Sequence, residues 1–156
     1  MIEIDIPGLV KYKLSHLVLD VNGTLATDGE LLDGVKERLD LLRDKLTIHL
    51  LTADTHGKQD AIDQVLRMKA IRIGQGNEAE NKFQLIDKIG ADKIVAIGNG
   101  ANDKLMLAHA ALAIAVIGAE GAFTGTLMQA DIVCRSIHEA LDLLLYPKRI
   151  VATLRS

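Results

Sequence analysis

Four segments of this sequence carry side chains suited to handling a phosphoryl group. Asp20-Val21-Asn22-Gly23-Thr24-Leu25 offers a carboxylate, and Thr52-Ala53-Asp54 offers a hydroxyl. Lys82 offers an ammonium, and Gly98-Asn99-Gly100-Ala101-Asn102-Asp103 is a glycine-rich turn that ends in an acid. A carboxylate can attack phosphorus to give an aspartyl-phosphate, which splits one hard displacement into two. The negative charge crowded at such a centre calls for a hard cation with oxygen ligands, typically Mg²⁺. A hydroxyl and backbone N–H groups in a loop can hold phosphate oxygens. A lysine supplies a point charge.

Such groups act together only if the fold brings them to one place. Met1 to Ile6 alternates Ile2, Ile4 and Ile6 with Glu3 and Asp5, a half-buried strand stopped by Pro7-Gly8. Leu14 to Asp20 reads as an apolar strand ending in an acid. Leu25 to Leu32 reads as a hairpin turning at Asp28-Gly29. Asp33 to Leu46 has helical spacing (Val35, Leu39, Leu42, Leu46), with Asp33 as its cap. Strands are then expected over Thr47 to Leu51, Ile71 to Ile73, Lys93 to Ile97, Leu112 to Ile117 and Asp131 to Cys134. Helices are expected over Lys58 to Met68, Glu78 to Ile89, Asn102 to Ala110 and Ile137 to Leu144, with a short tail from Pro147. Strands alternating with helices predict an α/β fold with a mostly parallel sheet covered on both faces. Ligands of such sheets bind beyond the carboxyl ends of the strands. All four chemical segments converge there, with Lys82 early in its helix.

The composition sets outer bounds. The chain has 156 residues, 49% of them apolar, a length and make-up expected of one globular domain over residues 1–156. Aromatic residues are only 3% and the net charge is -3, which argues against nucleic-acid binding by stacking or by a basic patch. Cys134 lies in an apolar run and reads as a buried, inert thiol, and one cysteine allows no intrachain disulfide. No leader-like segment and no run long enough to span a membrane are visible, so a cytoplasmic protein without a membrane partner is expected. His56 reads as a solvated loop residue, and Lys148, Arg149 and Arg155 as a basic helix surface.

The four segments resemble, in order and spacing, the four motifs of the haloacid dehalogenase superfamily. Asp20 to Leu25 is similar to D-x-D-G-T-L, Thr52 to the second motif, Lys82 to the third, and Gly98 to Asp103 to G-D-G-x-N-D. Within that superfamily the segments look most like the phosphorylation domain of P-type ATPases and its soluble, membrane-free relatives. The resemblance implies a Rossmann-like fold and hydrolysis of a phosphorylated small molecule or macromolecule with Mg²⁺. It implies Asp20 as nucleophile and, with Asn22 through its carbonyl, Asn99 and Asp103, as metal ligand. It implies Thr52, Ala53, Gly23 and Lys82 as phosphate-binding groups, and Lys82 also as the neutraliser of Asp20. Neither gap between the first three motifs leaves room for an inserted cap domain. The site is therefore expected to be open, with the Leu25 to Leu32 hairpin as a flap. A homo-oligomer is a further expectation, with that flap and the first strand as contacts.

Two positions depart from the motifs. Asn22 stands where the superfamily's phosphatases carry an acid–base Asp, and losing such help costs roughly 100- to 10,000-fold. That predicts slow turnover or a preference for acyl, anhydride or aryl phosphates, whose leaving groups need no proton. Asn99 replaces a metal-binding Asp, which predicts weak Mg²⁺ binding without phosphate, strengthened by it. The rivals are a self-phosphorylating switch and a degenerate, non-catalytic domain that binds a protein partner. Each residue also has a plainer reading. Asn22 and Asn99 beside glycine suit turns, Asp54 suits a helix cap, Asp103 a helix first turn, Thr52 a strand end and Lys82 a solvated helix face.

Overall fold

A computed structural model describes residues 1–54 and 57–156, so His56 lies outside the described residues. In β1 (Ile2–Ile6) the three isoleucines are buried and Glu3 and Asp5 face outward, as the alternation predicts. Its partner was not expected. Val10–Leu14 forms β2, antiparallel to β1. The run Leu14 to Asp20 is therefore two strands divided at Ser15. The Ser15 N–H donates to Lys93 O, and its carbonyl accepts from Thr47 N. The isoleucine face of β1 packs into the main core beside the C-terminal helix, so that face is covered within the chain and Glu3 and Asp5 form the exposed one.

β3 (His16–Asp20) begins the expected alternation. The flap hairpin is β4 (Ala26–Thr27) and β5 (Glu30–Leu31), turning at Asp28 and Gly29, both at positive φ. Next come α1 (Val35–Leu42), β6 (Thr47–Thr52), α2 (Gln59–Leu66), β7 (Ile71–Arg72) and α3 (Glu78–Ile89). β8 (Ile94–Gly98), α4 (Lys104–His109), β9 (Leu112–Val116), α5 (Thr124–Leu127), β10 (Ile132–Cys134), α6 (Ile137–Leu145) and α7 (Lys148–Leu154) complete the order. Asp33 does not cap α1. Gly34 takes the cap position at φ 81 with no side-chain hydrogen bond, and the helix ends at Leu42. α5 is a single turn with no helical period to announce it, and the tail from Pro147 is helical.

The main sheet has the order β10-β9-β8-β3-β6-β7, and its pairs are all parallel. β8 and β9 are buried at every residue, as strands covered on both faces must be. Leu17, Leu19, Val95 and Ile97 face one layer with α1, α2, α6, α7 and β1. Val18, Leu51 and Ala96 face the other with α3 and α4. Each fully buried Leu, Ile or Val in these layers stabilises by roughly 1.5–3 kcal/mol. Cys134 sits at the edge of the first layer, and burial pushes its thiol up to about 11. Among the described residues, no helix is long and apolar enough to cross a membrane.

The chain runs from β3 to β6 and β7 on one side, then crosses back to β8, β9 and β10 on the other. The carboxyl ends of β3 and β8 therefore flank the point where the winding reverses, the place where such sheets bind ligands.

Candidate active site

Asp20 ends β3, and the loop beyond it closes tightly. Val21 O accepts from the N–H groups of Thr24, Leu25 and Ala26, and Gly23 N donates to Ala26 O at 2.8 Å. Gly23 sits at φ 80, where a side chain is strained. A Cβ there would lie 2.7 Å from Asn99 Nδ2 and 2.9 Å from Glu120 Oε2, so only glycine fits. The expected phosphate-binding role of its N–H is not available in this arrangement, because that N–H is committed to Ala26. What Gly23 supplies is space.

Lys82 comes from α3 and is completely buried. Its Nζ donates to Asp20 Oδ1 at 2.6 Å, Asp103 Oδ1 at 2.7 Å and Asn102 Oδ1 at 3.1 Å. An ammonium has three protons, and all three are used, so Lys82 neutralises Asp20 but has none left for a phosphate oxygen. One positive charge thus serves two buried carboxylates. Burial, reinforced by the Asp103 charge, pushes Asp20 up to about 7, although Lys82 and Thr24 pull it back. Burial works against the Lys82 charge, yet Asp20 and Asp103 outweigh it and raise its pKa above the ordinary lysine value. Both shifts have one origin: the pair is strong, and among the described residues one positive charge faces two negative ones.

Asp103 does not line the cleft. Oδ1 is taken by Lys82, and Oδ2 accepts from Asn99 N at 3.0 Å and Gly100 N at 2.9 Å. Its carboxylate staples the β8–α4 turn, so the expected metal-binding role has no oxygen facing the cleft. Asn99 does face it. Its Nδ2 donates to Gly121 O at 3.0 Å, which turns Oδ1 toward Thr24. Asn22 Nδ2 donates to Thr52 Oγ1 at 3.1 Å, and Asp54 N donates to the same oxygen at 2.9 Å. Thr52 keeps its own O–H proton to give. Asp54 is not the N-cap of α2, a position that Lys58 holds, but its Oδ1 accepts from the first helical N–H, Gln59 N, at 3.1 Å.

These groups open onto a cleft of about 420 Å³ lined by Asp20, Asn22, Ala53, Asn99, Glu78 and Glu120, among others. Nothing in the sequence alone singles out the two glutamates. Glu120 lies in the loop after β9, another strand end on the same edge, so inspecting the loop beyond every strand is the signal that finds it. A larger groove of about 600 Å³ runs between the flap, α1 and α2, but it holds none of the convergent groups. The flap tip is held from both sides. Asp28 N donates to Glu120 Oε1 at 3.2 Å, and Lys58 Nζ reaches Glu30 Oε1 at 2.7 Å.

A hard divalent cation fits this donor set. Thr24 Oγ1 lies 3.3 Å from Asp20 Oδ2 and 3.2 Å from Asn99 Oδ1. One hydroxyl proton cannot satisfy both, so two oxygens converge with an unmet demand for positive charge. The donors are oxygens without sulfur or imidazole, the set that Mg²⁺ and Mn²⁺ prefer. Among the described residues, no group of three or more His, Cys, Asp or Glu gathers as a cage.

No family model matches the chain. The chain is 45% identical over 92 residues to the uncharacterized protein MJ0073 of Methanocaldococcus jannaschii, a match that covers 56% of this chain and 99% of that protein. A shorter match, to MJ0072 of the same organism, is 54% identical over 39 residues, 25% of this chain and 89% of that protein. Among solved structures, the cobalt-bound deoxy-D-mannose-octulosonate 8-phosphate phosphatase of Haemophilus influenzae superposes with a TM-score of 0.67. It is 20% identical, over 92% of this chain and 94% of that one. The Moraxella catarrhalis 3-deoxy-D-manno-octulosonate 8-phosphate phosphatase, in complex with magnesium, phosphate and KDO, gives 0.66 at 18% identity, over 92% and 95%. A phosphoserine phosphatase in apo form gives 0.67 at 16% identity, over 85% and 100%. A HAD superfamily (subfamily III A) hydrolase of Legionella pneumophila gives 0.68 at 22% identity, over 91% and 87%, so the chain belongs to one family with MJ0073 and has the fold of the haloacid dehalogenase (HAD) superfamily hydrolases.

Proposed function

We propose that this chain is a phosphohydrolase that uses Asp20 as its nucleophile and Mg²⁺ as its cofactor. The observation that carries this reading is the Asp20 carboxylate at the cleft floor, with Oδ1 fixed by Lys82 and Oδ2, among the described residues, near only a shared hydroxyl proton. The fold shared with proteins named as phosphatases, one of them in complex with magnesium and phosphate, supports it. Mg²⁺ bound at Asp20, Asn99 and the Asn22 carbonyl would supply the missing positive charge and polarise the phosphoryl group.

The rest of the work falls to the chain's own residues. An Asp20 oxygen attacks phosphorus, the new P–O bond forms, and the leaving oxygen departs with the bonding pair. The Thr52 hydroxyl, whose oxygen already accepts two hydrogen bonds, donates its proton to a phosphoryl oxygen. The Ala53 N–H stands beside it. Water then attacks phosphorus and releases a proton to solvent, the bond to Asp20 breaks with its electron pair returning to the carboxylate, and phosphate leaves. Asn22 neither protonates the leaving oxygen in the first step nor takes a proton from water in the second. Substrates with acidic leaving groups, such as acyl, anhydride or aryl phosphates, are therefore favoured.

A second reading, a switch that holds the phosphoryl group on Asp20, rests on the same Asn22, since an unaided water attacks slowly. The test is hydrolysis of an aryl phosphate with Mg²⁺ by the wild type, Asp20→Asn and Asn22→Asp. Activity in the wild type and none in Asp20→Asn is the expected result. Activity only in Asn22→Asp would favour the switch. Activity in Asp20→Asn equal to wild type would sink the nucleophile assignment.

A further inference from the structure

Asn99 and Glu120 are coupled through one loop. Asn99 Nδ2 donates to Gly121 O at 3.0 Å, and Phe123 N donates to Asn99 O at 2.8 Å. The segment that carries Glu120 is thus clamped to the residue that stands in a metal-binding position without a charge. An aspartate at position 99 could not make the first of these bonds, because a carboxylate has no proton to give Gly121 O. The amide is therefore what this loop requires.

The clamp brings a carboxylate to the place where the charge is absent. Around the point where a Gly23 Cβ would sit, Glu120 Oε2 lies at 2.9 Å and Asn99 Oδ1 at 3.0 Å. Glu120 Oε2 and both atoms of the Asn99 amide, with Nδ2 nearest at 2.7 Å, border that space because Gly23 leaves it empty. Oε1 is occupied by the flap N–H of Asp28 at 3.2 Å, which orients the group. Glu78 also lines the cleft, but it belongs to the first turn of α3, and neither the Gly23 space nor the Asn99 clamp involves it.

We propose that Glu120 supplies the negative charge of the cation site in place of position 99, with Asn99 serving to hold Glu120 there. This rests on the reading of Asp20 as a metal-binding nucleophile. The carboxylate acts on the cation directly or through one of the waters that Mg²⁺ retains. A carboxylate that supports a metal from just outside its direct ligands typically contributes 10- to 100-fold in affinity.

The experiment is a titration with Mn²⁺, a hard divalent ion that takes the same oxygen donors, reading the free ion by electron paramagnetic resonance without substrate. Glu120→Gln removes the charge but keeps an oxygen for Asp28 N–H. It is expected to bind Mn²⁺ about 10-fold more weakly than wild type. Glu120→Asp should fall between them, and Glu78→Gln should stay within about twofold of wild type. Asp20→Asn should lose binding. If Glu120→Gln binds within about twofold of wild type while Asp20→Asn loses binding, the role of Glu120 is refuted and the cation site stands. An equal loss in Glu78→Gln also refutes it, because the effect would then be the general field of the cleft. If Asp20→Asn binds Mn²⁺ as well as wild type, the cation site itself is wrong and this inference falls with it.

Discussion

Replacing Lys82 by methionine should be among the most damaging single changes available at this site. The side chain is 1% exposed, and it faces carboxylates that are 7% and 0% exposed. Methionine fills similar space but leaves Asp20 and Asp103 buried without a counter-charge. Removing one partner of a buried ion pair costs about 3–5 kcal/mol. At 2–4 °C per kcal/mol for a chain of this size, the melting point falls on the order of 10 °C. The loss should be partly recoverable. In Lys82→Met/Asp20→Asn one of the two repelling carboxylates is gone, so the double variant should be about 1–2 kcal/mol more stable than Lys82→Met alone, within the coupling range of touching residues. Urea unfolding followed by far-ultraviolet circular dichroism suits a chain with no Trp. A loss below about 1 kcal/mol for the single variant would mean that the buried triad is not the charge trap its geometry implies. A double variant no more stable than the single one would mean the carboxylates do not feel each other.

Two further outcomes concern other positions. A Cβ at Gly98 would lie 2.5 Å from Asp103 Cγ, so Gly98→Ala should push the Asp103 staple aside and cost about 1–3 kcal/mol. Gly74→Ala, whose nearest neighbour is 4.0 Å away, is the control in the same urea assay. His16 Nδ1 and His49 Nε2 lie 3.2 Å apart on adjacent strands, and burial, then the neighbouring ring, lowers the His49 pKa. A lowered histidine pKa means the unfolded chain binds the proton more readily, so stability should be lost as the pH falls through and below the ordinary histidine range. His49→Gln should flatten the fall in the urea midpoint between pH 7.5 and 5.5, and an unchanged slope would assign the fall to other groups.

The alternation of strands and helices was legible because its periods are written in residues such as Ile94 to Gly98 and Glu78 to Ile89. It failed at one strand whose alternation is short and at one helix too short to have a period. Val10–Leu14 alternates Val10, Tyr12 and Leu14 with Lys11 and Lys13, but only Leu14 is buried and that residue also begins the apolar run to Asp20, whereas Thr124–Leu127 is one turn. The convergence of Asp20, Thr52, Lys82 and Asn99 was legible from the residues at and just beyond the strand ends. Which atoms remain free was not. Lys82, Asp103 and the Gly23 N–H were expected to meet ligand, yet each is committed within the protein. Such commitments depend on distances between residues far apart in the chain, which a motif does not encode. Glu120 escaped notice for a related reason: an exposed acid between glycines looks like any loop until Asn99 is seen to clamp it.

The site is also divided by depth. Its floor, Asp20, Lys82 and Asp103, is buried and mutually dependent, so a change in one member is felt by the others. Its rim is built from two loops that leave the sheet on opposite sides of the winding reversal, the flap at Asp28 and the turn at Glu120, which meet through one exposed hydrogen bond. Exposed loop positions tolerate exchange far better than buried charges. The flap enters that bond through the backbone N–H of Asp28, so its side chains can vary freely, whereas Glu120 enters through its side chain and, on the proposed reading, is tied to the cation site above the buried floor.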